Sequence, residues 1–461
     1  MATHVGYIVQ INELRKHPNA DRLQIATIFG NSVIVDLAAK VGDIGIYFPI
    51  DLQLSEEYCA VNNLVRKKDE NGNNVGGYLD PAKRNICALR LRGEKSEGLF
   101  MPLHSLDYLG VDGWSVGQTI DRVGDHEICC KYIPCTNART PRTGKVGKTT
   151  KSAFDYSPLF VEHAETEQLA YNLGEIRYGD HIEITLKMHG TSGRTGYLPV
   201  FQKEKKTLWQ KIFHKKGTPV YEYGYVSGTR RTVLKTFEDG GYYGTNEFRK
   251  DAEDLFKGKL HKGEEVYYEI VGFTNDGRPI MPSVPNKKTN DKEFIKQYGE
   301  MTEFSYGCNA KGFVMKYGFD DMGQFSIPEA VPQHDIYVYR MTMTNEDGDM
   351  VEYTPDFMRY RCEQMGVKTV PVFADFIIPE AASETDTRTP GEMVKDACEQ
   401  YYDGPDPVGK THIREGVVAR VINRPTFTAY KHKNFYFKVL SGIAINEVKA
   451  DDYDADTLSE I

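Results

Sequence analysis

The sequence predicts an α+β fold in two parts: a small barrel of short strands, then a larger domain of antiparallel sheets flanked by helices. Aromatic residues are abundant, with 29 Tyr and 22 Phe in 461 residues, and such side chains favour pleated, half-buried surfaces. Short alternating or β-branched runs recur between turn residues in the first ~120 positions. An unpatterned basic stretch separates them from a second, longer series of strand-like segments. At ~100–200 residues per domain, a chain of this length holds two or three domains.

In the first part, Leu23-Gln-Ile-Ala-Thr-Ile28 alternates, Ser32-Val-Ile-Val35 is short and β-branched, Gly45-Ile-Tyr-Phe48 follows, and Ile86-Cys-Ala-Leu-Arg-Leu-Arg92 closes the set. Such spacing suits a small barrel, placed at 1–130. The Thr- and Gly-rich stretch from Thr136 to Ser152 lacks hydrophobic periodicity and marks a basic linker at 131–153. Within it Gly147-Lys148-Thr149 imitates the end of a phosphate-binding P-loop, but that motif's first glycine would fall on Arg142, which excludes it. The second domain spans 154–445, with helices expected near Glu247–Phe256 and Asp291–Tyr298. An acidic tail, 446–461, follows.

Lys and Arg number 57 against 66 Asp and Glu, a net charge of −9, which argues against a protein that coats nucleic acid by bulk electrostatics. Local basic stretches must carry any such contact, and two stand out: Lys131–Lys151 and Lys203–Lys216, the latter with six Lys. No run of about 18 apolar residues occurs and the start lacks the regions of a signal peptide, so a cytoplasmic, membrane-free protein is expected; a monomer is expected, though the sequence does not fix the oligomeric state. Eight irregularly spaced Cys fit reduced thiols better than a disulfide framework. His126, Cys129, Cys130 and Cys135 cluster, but without paired C-x-x-C spacing they read as core or turn residues before they read as a zinc site.

The chemistry concentrates in the second domain. Ile182-Glu-Ile-Thr-Leu-Lys187-Met-His189-Gly190-Thr191-Ser192 reads as a strand running into a tight turn. Lys followed three residues later by Gly is a weak signal alone, since Lys95-Ser-Glu-Gly98 and Lys296-Gln-Tyr-Gly299 share it. Only Lys187 is succeeded, in order, by Val226-Ser-Gly-Thr-Arg230-Arg231, Tyr267-Tyr-Glu269-Ile-Val-Gly272, Ile336-Tyr337-Val-Tyr339-Arg340, Arg414-Glu415-Gly416-Val-Val418 and Lys431-His-Lys433.

That ordered set resembles the covalent nucleotidyltransferases, the DNA ligases, RNA ligases and mRNA capping enzymes. His189, where DNA ligases and capping enzymes usually carry Asp, resembles the RNA ligase version. His17-Pro-Asn-Ala-Asp-Arg-Leu23 resembles the opening of tRNA-binding OB-type modules. Together with Leu91-Arg-Gly-Glu-Lys-Ser-Glu-Gly-Leu-Phe-Met-Pro-Leu103 it is similar to the N-terminal OB domain of the fifth, nick-sealing family of RNA ligases. Little chain remains after Lys438 for the OB domain that DNA ligases and capping enzymes carry there. The resemblance implies an OB-like module, then a nucleotidyltransferase domain with the nucleotide held between its sheets. It implies ATP and Mg2+ or Mn2+, and RNA or a nicked duplex with a 5′-phosphate and an RNA 3′-OH.

In that reading Lys187 attacks the α-phosphorus of ATP, expels pyrophosphate and holds AMP as a phosphoramidate, which Arg could not do because it keeps its proton. At an ordinary lysine pKa of ~10.4 about one amine in 2,500 is neutral at pH 7, so nearby cations must favour the neutral form. Lys431 and Lys433, two apart, share one strand face and can neutralise charge on the phosphates, whereas Lys438 has the opposite parity and is the second choice. The resemblance assigns the metal to Glu415, the ribose or the RNA end to Arg230 and Glu269, adenine stacking to Tyr337 or Tyr339, and the later steps to His189. RNA ligases often have Glu before the lysine; here Leu186 stands there, leaving adenine to backbone groups of Thr185 and Leu186 and making ATP preference less secure than covalent chemistry. The rivals are a GTP-using capping guanylyltransferase and a non-catalytic OB-fold RNA-binding protein.

Overall fold

The structure is a computed structural model. It describes residues 4–132, 156–281 and 334–445, apart from 51, 69, 71–73, 165, 214–215, 239–242, 276–279, 382–384, 409–412 and 441–443. The linker's Thr136–Ser152 stretch, Cys135, Lys296, the helix expected near Asp291–Tyr298 and the acidic tail lie outside the described residues.

The strands expected in the first part form: β1 (Gly6–Gln10), β2 (Leu23–Ile28), β3 (Asn31–Asp36), β4 (Ile44–Phe48), β5 (Ala88–Leu91), β6 (Glu94–Glu97) and β7 (Leu99–Pro102). They do not close into one barrel among the described residues. β7, β4 and β1 belong to a four-stranded sheet, β2 and β3 to a three-stranded one, and β5 and β6 to a third. Gly98 explains the break between β6 and β7. Its φ of +127° turns the chain from one sheet into another, and a Cβ there would lie 2.4 Å from the Tyr47 ring. Alternation along β1 buries Ile8 in one cluster with Ile46 and Phe48, and Tyr7 and Val9 in another with Val33 and Tyr47.

The second part is two sheets. The five-stranded sheet includes β8 (His181–Leu186), β13 (Val372–Ile377), β14 (Gly416–Val421) and β15 (Thr428–Lys433) in the order β15-β14-β8-β13. The seven-stranded sheet includes β9 (Thr191–Lys205), β10 (Thr218–Gly228), β11 (Glu264–Gly272) and β12 (His334–Thr344) in the order β10-β9-β11-β12. Between β9 and β10 lies the short helix α1 (Leu208–Ile212), and α2 (Glu247–Phe256) occupies the span read as helical from sequence. Phe248, Ala252 and Phe256 of α2 are buried against Tyr268 and Ile270 of β11, joined by Met358 and Cys362 of α3 (Pro355–Met365). On the outer face of the five-stranded sheet Ile182, Ile184, Val417 and Ala419 pack with Val394 and Cys398 of α4 (Pro390–Tyr401). Thr389 and Glu392 close a reciprocal capping box at the start of α4, with Pro390 at its first position, so the helix begins where its sequence says it should.

The two parts are docked onto one another. After β15 the chain forms α5 (Phe435–Leu440) and then β16 (Ala444–Ile445), which pairs in parallel with β5 of the first part. Lys438 pairs with Glu97, the Lys95 ammonium lies 4.9 Å from the centre of the Phe435 ring, and Lys395 donates to the Gly30 carbonyl. Tyr171 packs its ring against Tyr7, Phe29 and Tyr47. Glu97 sits below the usual carboxylate range. Burial works against its charge, but Lys438, His432 and Lys95 outweigh it.

Removing Glu97 leaves the largely buried Lys438 ammonium without its main counter-charge. Glu97→Ala is expected to cost about 2 kcal/mol of stability, and Glu97→Ala/Lys438→Ala less than the sum of the single changes. Chemical denaturation of the three variants measures this; strict additivity would show that the pair holds nothing together.

Candidate active site

Register alone assembles the centre. Leu186 of β8 faces Val417 of β14, and the Lys187 amide donates to the Gly416 carbonyl at 3.0 Å, which puts Lys187 beside Glu415. Gly416 in turn faces Lys433 of β15. The Lys187 ammonium lies 2.7 Å from Glu415 Oε1, Lys433 Nζ lies 3.2 Å from the same oxygen, and His189 Nδ1 lies 3.4 Å from Oε2. Glu415 is buried. Desolvation alone would raise its pKa, but Lys187, Lys433 and His189 together hold it well below the usual carboxylate range. The His189 ring also meets Phe437 of α5 edge-on, centroids 4.9 Å apart.

Lys187-Met188-His189-Gly190 is the crossover from β8 of one sheet to β9 of the other. A Cβ on Gly190 would lie 2.3 Å from the Ile270 carbonyl oxygen and 2.8 Å from Glu269 Cγ, so the crossover presses directly on β11. This close approach is the physical content of glycine three residues after the lysine. Leu186 and Met188 close the gap between the sheets by packing with Val271, Tyr337 and Val370.

A cavity of about 580 Å³ opens between the sheets, within the ~300–1,000 Å³ that small-molecule ligands occupy. Thr185, Lys187, Val418, Lys431 and Lys433 line it from one side, and Ser192, Arg230, Glu269 and Tyr339 from the other. Lys431 and Lys433 thus share the cleft face, as their spacing predicts, whereas His432 turns away and its ring lies 4.9 Å from Tyr402. Lys438 and Lys95 sit at the contact with the first part. Tyr337 and Tyr339 separate: Tyr339 lines the cavity, while Tyr337 is buried in the inter-sheet cluster and donates its hydroxyl to Asp335. A register shift explains this, because Tyr267 faces Arg340 and Tyr268 faces Val338, leaving Tyr339 as the extra residue of a bulge. The Leu186 amide donates to the Pro371 carbonyl and is not available to a bound base.

Sequence reasoning missed the wall beside Tyr339. His163 and Phe427 lie in irregular segments that carry no periodic signal, yet both line the cavity. Their rings stand 5.4 Å apart, and His163 lies 5.2 Å from Tyr339. Burial pushes the His163 pKa down to about 3, and Arg340 and Arg230 add to the effect, so it is neutral at physiological pH. The zinc reading of the first part finds no support: His126 Nδ1 bonds Glu57 at 2.9 Å, Cys129 points to the Ile120 carbonyl, and no metal-binding group of three such side chains exists among the described residues.

No family model and no curated protein matches the chain. Among solved structures it is similar to Naegleria gruberi RNA ligase. A lysine-to-methionine mutant of that protein with AMP and Mn aligns with TM-score 0.54 at 15% identity, covering 94% of this chain and 97% of that one. The same ligase with PPi aligns at 0.53 and 16% identity, covering 94% and 97%. An arginine-to-alanine mutant with ATP and Mn aligns at 0.55 and 15%, covering 95% and 99%. In its fold the chain therefore resembles that RNA ligase.

Burial pushes the Glu269 carboxyl up to about 7, with Glu415 adding to the rise and Lys187 opposing it. The folded protein keeps this proton where an unfolded glutamate, pKa ~4.3, has lost it, so its contribution to stability is present below that value and disappears as pH rises through about 7. Thermal melts of Glu269→Gln, which cannot ionise, are expected to gain on the parent protein from pH 5 to pH 8. A pH-independent difference would mean that Glu269 ionises as an ordinary carboxylate.

Proposed function

We propose that the protein is an ATP-dependent RNA ligase that joins 3′-OH and 5′-phosphate ends through a covalent lysyl-AMP on Lys187. The observation that carries this is the placement of Lys187 at the crossover between the sheets, on the rim of a nucleotide-sized cavity, paired with Glu415, whose same oxygen also holds Lys433. ATP lies in the cleft with its base toward Tyr339 and its phosphates toward Lys431 and Lys433. The neutral Lys187 amine forms a bond to the α-phosphorus as the bond to the bridging oxygen breaks, pyrophosphate leaves with the electron pair, and the nitrogen releases one proton to solvent to give the phosphoramidate. Lys431 and Lys433 offset the charge that builds on the phosphate oxygens. AMP then moves to the 5′-phosphate of the nucleic acid, and the 3′-OH displaces it to seal the strand. His189 serves these later steps, and Arg230 and Glu269 hold the ribose or the RNA end.

The donors present fit a divalent cation. Mg2+ keeps several waters and needs few carboxylates, and Glu415 is ionised, buried and faces the nucleophile. Bound there, the cation would supply charge stabilisation for phosphoryl transfer and would favour the neutral amine on Lys187. Glu415 Oε1 is already shared by two ammonium groups, so its contact with Lys187 must open for the amine to attack.

The first part is read as an OB-like nucleic-acid-binding module serving nick sealing, a reading supported by its resemblance and by its docking next to Lys433. We propose as well that the protein is a cytoplasmic monomer; the described cysteines are free thiols.

Incubated with ATP labelled at the α-phosphate and Mg2+ or Mn2+, the protein is expected to retain label after denaturation. Lys187→Ala should retain none, and Glu415→Ala and Lys433→Ala should each lose most of it. Strong labelling from GTP instead would favour a capping-type guanylyltransferase, and none from either nucleotide a non-catalytic RNA-binding protein.

A further inference from the structure

The hairpin formed by β9 and β10 begins and ends at the candidate active site. β9 leaves the crossover at Thr191 and Ser192, and β10 returns to Gly228, just before Arg230. Its pairing with β11 runs only from Thr191 to Gly196, whereas β9 and β10 stay paired out to Lys205 and Thr218. Burial ends at Val200, and beyond it the ribbon is half-buried or exposed on both strands. From Ser192 to Lys205 the strand covers about 40 Å at ~3.3 Å per residue. This is an arm with its root in the cleft.

Its tip is built unlike the rest of the surface. Leu208, Trp209, Ile212 and Phe213 are 75%, 71%, 60% and 59% exposed, although one turn of helix places all of them on one face. The Trp209 and Phe213 rings are parallel within 3°, with centroids 5.7 Å apart. Between Lys203 and Lys216 the sequence has six lysines against the single Glu204, in a chain whose net charge is −9. Exposed rings amid lysines suit a partner that offers C–H sugar faces beside a line of negative charge, which is the chemistry of a polynucleotide. An exposed apolar face of this kind requires an occupant.

We propose that this arm grips the RNA on one side of the junction, at a distance from the chemistry. Sugar faces of the duplex pack on Trp209 and Phe213 while Lys203, Lys205 and Lys216 meet phosphates. At ~3.4 Å per step the arm's reach corresponds to about a dozen base pairs, so the contact falls well outside the nucleotides that react. The inference rests on the reading of the protein as an RNA ligase and adds to it a second, remote binding surface that no ATP-handling residue touches.

The test uses the full chain and Trp209→Ala/Phe213→Ala, whose side chains are too exposed to support the core. Three measurements are made: labelling by α-labelled ATP without RNA, anisotropy binding to a nicked RNA duplex with about 20 or about 5 base pairs on each side, and sedimentation with phosphatidylserine vesicles. Labelling is expected to stay within about twofold. Affinity for the long duplex should fall at least ~10-fold and for the short one much less, and Trp209→Phe should restore most of the loss. Unchanged affinity for the long duplex overturns the proposal, and it does so in favour of a membrane-binding arm if the variant also loses vesicle binding. An equal loss on both duplexes overturns the remote placement. A parent protein that never takes label, yet shows arm-dependent RNA binding, would remove the ligase reading and leave the arm's role standing.

Discussion

The arrangement depends on one buried carboxylate. Glu415 is surrounded by the ammonium groups of Lys187 and Lys433 and the imidazole of His189, residues brought from two separate segments, the crossover after β8 and the end of β15. Leaving a charge of this kind unpaired in a protein interior is costly, so each cation helps to fix the strand that carries it. On the proposed function, the Lys187–Glu415 contact that orders the site is also the one that attack on phosphorus must break.

The register of two strands converts this constraint into a site. Alternation along β15 sends Lys431 and Lys433 into the cleft and His432 to the opposite side, toward Tyr402. Directly after β15, α5 places Phe437 against His189 and Lys438 against Glu97. A short run of sequence therefore touches the reacting centre on one side and the first part of the molecule on the other.

Much of this was legible in the sequence because it follows from period-two alternation. The strand before Lys187 and the shared face of Lys431 and Lys433 required only that pattern, and the helix at Glu247–Phe256 only a helical one, whereas strand parity does not reach Lys438, because β15 ends at Lys433 and Lys438 lies on α5. What could not be read required knowledge of pairing. Tyr337 and Tyr339 have the same parity, and only the bulge opposite Tyr267 and Tyr268 decides that Tyr339 alone lines the cavity. The small strands of the first part suggested a closed barrel, but a single residue, Gly98, turns the chain between sheets, and no composition signal tells such a bend from a hairpin turn. His163 and Phe427 were invisible because irregular segments have no period. The Glu97–Lys438 pair was hidden by sequence distance, since it joins the two parts.

The measurement that bears most directly on the account is a crystal structure with Mn2+ and an ATP analogue whose α,β-bridging oxygen is replaced by a methylene group. The account predicts the base between the sheets beside Tyr339, the triphosphate on Lys431 and Lys433, the metal at Glu415, and Lys187 released from that carboxylate to face the α-phosphorus. A nucleotide seated outside the cleft, or one inside it with Lys187 still paired to Glu415 and turned away from the α-phosphorus, would contradict it.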